Sequence, residues 1–343
     1  MRNSNRIHYV DILRGILIIL VVVHHAPLVA ERIDNTNPYM KISYLYDFTI
    51  GFTMPGFFLM TGYLSNFDRD FIPFFKRCLK TIALPCFCLY YLNHWLSDLY
   101  VFLFSDDSHW VTWKHFFSLG IRTFVREGGY YWFLSAMFIS KVLYWFVHNW
   151  IKDYKYILLF TFILFVLGTW LEENHCGENF FFYRQGFARM FFLPIGALLR
   201  KYHESYYKFV PYLGVFYVLL VLLLIYLHVD IPLVTRVMTV RLATIPLYLG
   251  LAISGSLFVL WTCEMIGKCK LLEYMGQGSL VIYAFNYMTL CIVSTILIQH
   301  FKPVRVVESI LIFVLIIIVS LIILTFFYWV LNHKYLKIIL GKF

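Results

Sequence analysis

Asp11, Arg14 and His25 lie in one stretch, Asp11-Ile-Leu-Arg14-Gly15-Ile-Leu-Ile-Ile-Leu-Val-Val-Val-His24-His25, that is otherwise apolar enough to cross a membrane. A helix turns 100° per residue, so the eleven residues from Arg14 bring His25 back to within about 20° of the same face, roughly 16 Å further along the axis. Asp11 falls about 40° from His25 on that stripe. An imidazole is the side chain whose ordinary pKa suits general-base work, and a guanidinium fork suits phosphate. Three such groups are costly in hydrocarbon and belong in a bundle interior or a wet cavity. The alternative account of the stripe is a polar helix-packing seam, with Asp11 and Arg14 satisfying each other at i, i+3.

The elements that must hold this stripe are membrane helices. The 343-residue chain is 61% hydrophobic, 20% aromatic and 14% charged, with a mean hydropathy of +0.73. A soluble domain carries roughly 25% charged residues. Apolar runs near the 20 residues that a bilayer core demands fall at 10–30, 45–64, 82–104, 131–150, 156–171, 186–200, 209–229, 243–263, 277–300 and 309–331. The expectation is an all-α polytopic bundle of about ten spans, the fifth and sixth being short. It forms a single integral-membrane domain over 1–343, with no room for a separate soluble domain. Asp11 and Arg14 interrupt the first apolar run, and no small-x-small cleavage site follows it, so it does not read as a signal peptide. The seven cysteines are odd in number, lack a CxxC pair and sit mostly within spans, which argues for apolar filler over a disulfide framework.

With the N-terminus inside, the inner segments hold sixteen Lys and Arg residues and the outer segments ten, while Arg14, Lys141 and Arg189 lie within spans. The excess predicts both termini on the cytoplasmic side. It also accounts for the net charge of +10 without nucleic acid. No internal repeat stands out, which counts against transporter folds built from repeated halves. Pro55-Gly56 and Gly62 punctuate the second span and Pro85 the third, and the run 311–324 carries no chemistry and reads as lipid-facing.

Five motifs in register resemble the membrane-bound acyltransferase 3 family, most closely its sugar O-acetylase (fucose 4-O-acetylase-like) branch. Asp11-x-x-Arg14-Gly15 with His25 is similar to the family's Arg-x10-His element. Met54-Pro55-Gly56-Phe57-Phe58-Leu59-Met60-Thr61-Gly62-Tyr63-Leu64 resembles its second-span signature, usually MPxFFxxSGxL. Arg77-x-x-Lys80 before Pro85 is similar to its Arg-x-x-Arg element, with Lys in second place. Tyr131-Trp132-Phe133-Leu134 resembles its WFL motif, and Gly276-x-Gly278-Ser279-Leu280-x-Ile282-Tyr283 its ninth-span signature. Many relatives place a His three residues after that Tyr, where this chain has Asn286.

The resemblance implies a ten-helix membrane enzyme that passes an acyl group, usually acetyl, from cytosolic acetyl-CoA to a sugar hydroxyl of a surface or lipid-linked polysaccharide. The acyl-CoA is a co-substrate, and neither a bound cofactor nor a metal is expected. It implies His25 as general base and Arg14, with Asp11 beside it, at the catalytic end. The donor phosphates then fall near Arg14, Arg77 and Lys80, and the roughly 16 Å from Arg14 to His25 matches an extended pantetheine arm. On the acceptor side stand Trp132, by stacking or as an interfacial anchor; Arg189, lining a cavity or snorkelling; Asn286, holding a hydroxyl or bonding between helices; and Tyr283. For Arg77 and Lys80 the plain alternative is positive-inside loop charge. His24, about 100° off the stripe, reads as a packing residue, Glu127 as a loop carboxylate, and Ser279 lacks an adjacent base for an acyl-serine. The chain's end at Phe343 fits a single-module acetylase without an appended esterase-like domain. The partners expected are acetyl-CoA, a carbohydrate acceptor, the bilayer of a bacterial-type inner membrane and other envelope-polysaccharide proteins. Two rival classes are a transporter or flippase of a lipid-linked sugar and a non-catalytic scaffold.

Overall fold

The computed structural model describes residues 8–33, 43–104, 131–176, 179–202, 205, 207–229 and 242–342. Every regular element among them is helical. Glu127, His109, His115 and the remaining residues of the 105–130 loop lie outside the described residues, as do several of the cations counted for orientation, Arg2, Arg6 and Lys114 among them. The helices run α1 His8–Ile33, α2 Ser43–Leu64, α3 Phe71–Cys78, α4 Leu84–Phe104, α5 Trp132–Trp150, α6 Tyr154–Glu173, α7 Tyr183–Met190, α8 Phe192–Lys201, α9 Val210–Tyr226, α10 Ile245–Ile266, α11 Lys270–Gln277, α12 Ser279–Phe301 and α13 Val306–Leu331. Among the described residues five segments are long and apolar enough to cross a membrane: His8–Ile33, Tyr154–Glu173, Leu242–Ile266, Ser279–Phe301 and Val306–Leu331.

The sixth apolar run is two short helices, α7 and α8, meeting at Phe191. Pro194 sits in the first turn of α8 and has no N–H to offer the carbonyl of Met190, four residues back, so a straight helix cannot continue through it. The same chemistry shapes the approach to α4. Pro85 cannot bond the Thr81 carbonyl, and the backbone from Leu79 to Ala83 widens into a π turn that joins α3 to α4. Such a turn reorients side chains by a fraction of a residue, and here it follows Cys78, the neighbour of Arg77.

α1 is threaded through the bundle. Its first half is pressed on α11 by two glycines in reciprocal contact. A Cβ on Gly15 would sit 2.1 Å from the Leu272 carbonyl oxygen, and one on Gly276 1.9 Å from that of Asp11. The Arg14-Gly15 motif and the Gly276-x-Gly278 motif are therefore two halves of one backbone contact. α2 and α8 repeat the device, with Gly62 against the Leu193 carbonyl at 2.0 Å and Gly196 against that of Leu59 at 1.9 Å. Small residues at helix crossings let backbones close in where hydrocarbon offers no hydrophobic drive.

α13 carries its burial on one stripe, Ile312, Ile316, Ser320 and Leu324, while Leu311, Ile318 and Ile322 are exposed. The spacing of four places the stripe on one helix face, so only part of the run 311–324 is turned outward, as expected for a helix with lipid on its other side. α3 is a short amphipathic helix, with Phe74 and Cys78 inward and Ile72, Lys76 and Arg77 outward.

Candidate active site

The loop between α2 and α3 is tied to the end of α5 by three bonds. Trp145 Nε1 donates to the Arg69 carbonyl (2.8 Å), Asn149 Nδ2 to the Phe67 carbonyl (3.0 Å), and His148 Nε2 to Asp68 Oδ1 (3.0 Å). These clamps fix the mouth of a cavity of about 390 Å³. Its wall is built from α1 (Arg14, Ile18), α2 (Met54, Phe57, Thr61, Leu64), the tied loop (Ser65, Asn66, Arg69), α3 and the π turn (Phe74, Arg77, Cys78, Thr81, Ile82), α5 (Phe133, Leu134, Met137, Lys141) and the start of α12 (Ser279, Leu280, Tyr283). Four cations, Arg14, Arg69, Arg77 and Lys141, face it, and no carboxylate lines it among the described residues. Asp11 stands behind Arg14, with 3.9 Å between Oδ1 and Nη1. The cavity floor is aromatic. Phe133 packs on Tyr283 with ring centroids 5.4 Å apart, and the hydroxyl of buried Tyr131 bridges the carbonyls of Leu89 (3.1 Å) and Ala284 (3.0 Å) beneath them.

His25 lies just past that floor. Its ring stands edge-on to Tyr287, centroids 6.3 Å apart, and Tyr287 is one turn of α12 beyond Tyr283, about 6 Å along the axis. His25 Nδ1 is 2.7 Å from the carbonyl oxygen of Val21. A carbonyl only accepts, so neutral His25 carries its proton on Nδ1 and keeps a lone pair on Nε2. Arg32 donates to the Tyr287 hydroxyl from the far end of α1. His24 points to α2, where it is buried and shares a 2.6 Å bond with Thr49 Oγ1.

The other expected site residues are placed less uniformly. Arg77 lines the cavity from its exposed rim, whereas Lys80, on the π turn, is exposed outside the lining, with Gly341 packed on its backbone carbonyl. Trp132 is buried behind Phe133 and does not line the cavity. Asn286 is buried and donates to the Tyr283 carbonyl of its own helix rather than across helices, and its Oδ1 has no hydrogen-bond partner among the described residues. Arg189 belongs elsewhere: it donates to the hydroxyl of Tyr248 and lies over that ring, beside the ion pair of buried Arg184 with half-buried Glu172 (3.3 Å). These groups surround a separate void of about 10 Å³, room for roughly one water.

Arg69 and Lys141 were not among the sequence-derived site residues. Lys141 is the single charge in an otherwise apolar helix, which by itself marks an inward-facing group. Arg69 carries no such signal, since a cation in a loop between apolar spans is ordinary. Cys78 is a nucleophile type on the wall, but burial pushes its thiol up against the opposing pull of Lys141 and Arg77, so it stays protonated and unreactive at neutral pH.

The described residues form a helical bundle with apolar spans around a cavity of about 390 Å³ that four cations line, with an aromatic floor and His25 just beyond it. The Acyl_transf_3 family model, described as an acyltransferase domain, matches residues 7–329, and the chain belongs to that acyltransferase 3 family. It is an integral-membrane acyltransferase. No curated protein and no solved structure matches it.

Proposed function

We propose that the protein moves an acetyl group from cytosolic acetyl-CoA to a sugar hydroxyl of a surface or lipid-linked polysaccharide. The observation that carries this is the cation-lined cavity ending on an aromatic floor with His25 one helical turn beyond it. The phosphates rest among Arg14 and Arg77, with Lys80 adding to the field at the mouth. The pantetheine arm descends along Met137 and Phe133, and the thioester reaches the level of Tyr283. Nε2 of His25 takes the proton of the sugar hydroxyl as its oxygen attacks the thioester carbonyl. The tetrahedral intermediate expels the CoA thiolate, which recovers the proton from the imidazolium. Cys78 and Ser279 take no covalent part, and transfer is direct.

On the acceptor side, Tyr283 closes the floor, and Asn286 Oδ1 offers an open acceptor for a sugar hydroxyl. Trp132 supports the floor from behind, and Arg189 holds the α7–α10 packing through Tyr248 rather than touching the sugar. On this reading the chain is one domain of ten spans in a bacterial-type inner membrane, and the excess of inner-face Lys and Arg supports both termini being cytoplasmic. The polysaccharide acceptor implies envelope-assembly proteins as neighbours.

Arg77→Gln should raise the apparent Michaelis constant for acetyl-CoA up to about fivefold, as removal of an exposed charge pair worth about 1 kcal/mol requires. The acceptor's constant should not move. Lys80→Gln, outside the lining, should have the smaller effect. Steady-state kinetics in inverted membrane vesicles, varying each substrate in turn, check this; an altered acceptor constant with an unchanged donor constant would reassign both residues to structure.

A further inference from the structure

The cations of the cavity differ in exposure. Arg69 and Arg77 are exposed at its rim, one on the tied loop and one on α3. Lys141 and Arg14 are only partly exposed, and Lys141 stands one turn from Met137 and two from Leu134 on the way to the floor. No carboxylate pairs with Arg69, Arg77 or Lys141 among the described residues, so their charge is available to a ligand. The Lys141 ammonium lies 6.0 Å from the centre of the Phe74 ring, which holds it at the wall without neutralising it. Ser279 at the start of α12 adds the positive end of a 23-residue helix to the same space.

Resting on the acetyl-CoA reading above, we propose that these two tiers divide the donor between them. Lys141, with Arg14, binds the pyrophosphate, and the rim pair Arg69 and Arg77 reads the 3′-phosphate of the ribose. The assignment follows from the shape of the ligand. CoA is a linear molecule with the thioester at one end, the pyrophosphate in the middle and the 3′-phosphorylated nucleoside at the other. Once the thioester is at the floor, the pyrophosphate meets the middle tier and the 3′-phosphate is left at the mouth. Lysine suits the middle position, because a compact ammonium on a flexible stem serves either phosphate as a point charge. The rim arginines offer planar forks for one terminal dianion. Rim and middle tier therefore have different consequences: the rim sets selectivity for the 3′-phosphorylated donor, and Lys141 sets affinity for any pyrophosphate-bearing one.

The test is equilibrium binding of CoA and of 3′-dephospho-CoA to the purified, detergent-solubilised protein, which needs no acceptor. The wild type should bind CoA more tightly by on the order of tenfold, the scale of a charge-assisted phosphate contact. Arg69→Gln and Arg77→Gln should each pull that ratio toward one. Lys141→Gln should weaken both ligands by the same factor, again on the order of tenfold, and leave the ratio intact. Lys141→Arg should retain most of the binding, which separates lost charge from lost folding. A Lys141→Gln protein that binds both ligands as the wild type does, or rim variants that keep the full ratio, would overturn the two-tier assignment. Equal wild-type affinity for the two ligands would overturn the rim's role while leaving acetyl-CoA as donor. Binding of neither ligand would overturn the donor reading itself.

Discussion

His25→Ala should lower the rate of acetyl transfer by about 10² to 10⁴, the usual cost of losing a general base, while the protein remains in the membrane at wild-type abundance. A sugar hydroxyl is a poor nucleophile at neutral pH, and His25 is the histidine set edge-on to Tyr287, one turn beyond the floor residue Tyr283. His8 pairs with Glu273 at 2.9 Å and His148 with Asp68 at 3.0 Å. The Val21 carbonyl pins the His25 tautomer, so the basic Nε2 is available without rearrangement. His24→Ala is the control. That imidazole is turned to Thr49 on α2, and its loss should cost some packing but keep most of the activity. Rates are compared by incorporation of labelled acetate into glycan, normalised to membrane abundance. Wild-type activity in His25→Ala combined with loss in His24→Ala would show that the helical phase assigns the wrong residue.

Gly15→Ala should strip the protein from the membrane fraction or leave it inactive, although it adds one methyl group. The new Cβ would meet the Leu272 carbonyl at 2.1 Å, a backbone atom that cannot swing aside. α1 and α11 must then part, and Arg14 and the start of α12 move with them. Overpacking of this kind costs typically about 1–3 kcal/mol, a large share of the stability of a folded chain. Gly250→Ala is the matched control on α10, since its Cβ would meet only the Leu220 side chain at 3.9 Å. Thermal-shift midpoints of the two purified variants separate them: a drop for Gly15→Ala and none for Gly250→Ala. Equal midpoints would mean that α1 and α11 can separate at little cost.

The stripe of Asp11, Arg14 and His25 was legible because helical phase and apolar context together dictate one face, and the structure puts Arg14 on the cavity wall and His25 past the floor on that face. Tyr283 was legible only through its motif. Other parts were hidden for stated reasons. α3 and α11 are eight-residue amphipathic helices, too short and too mixed in polarity to register in a hydropathy scan for spans. Arg189 was legible as a charge within a span, but which void it lines was not, because its partner, Tyr248, is 59 residues away in sequence and no local pattern announces it. Arg184, counted as an outer-loop cation, is buried against Glu172 for the same reason. Lys141 was visible as a charge in an apolar helix, but its tier in the cavity depends on how α5 sits against α1 and α3, which periodicity does not encode.

The most direct test of the central claim is mass spectrometry of the surface glycan from otherwise identical cells carrying wild-type protein, the His25→Ala variant or no protein. The account predicts an acetyl increment on a sugar residue with the wild type alone, its acetate derived from labelled acetyl-CoA. A glycan of unchanged mass in all three strains, alongside counterflow of a labelled lipid-linked sugar in vesicles without any acyl donor, would contradict it.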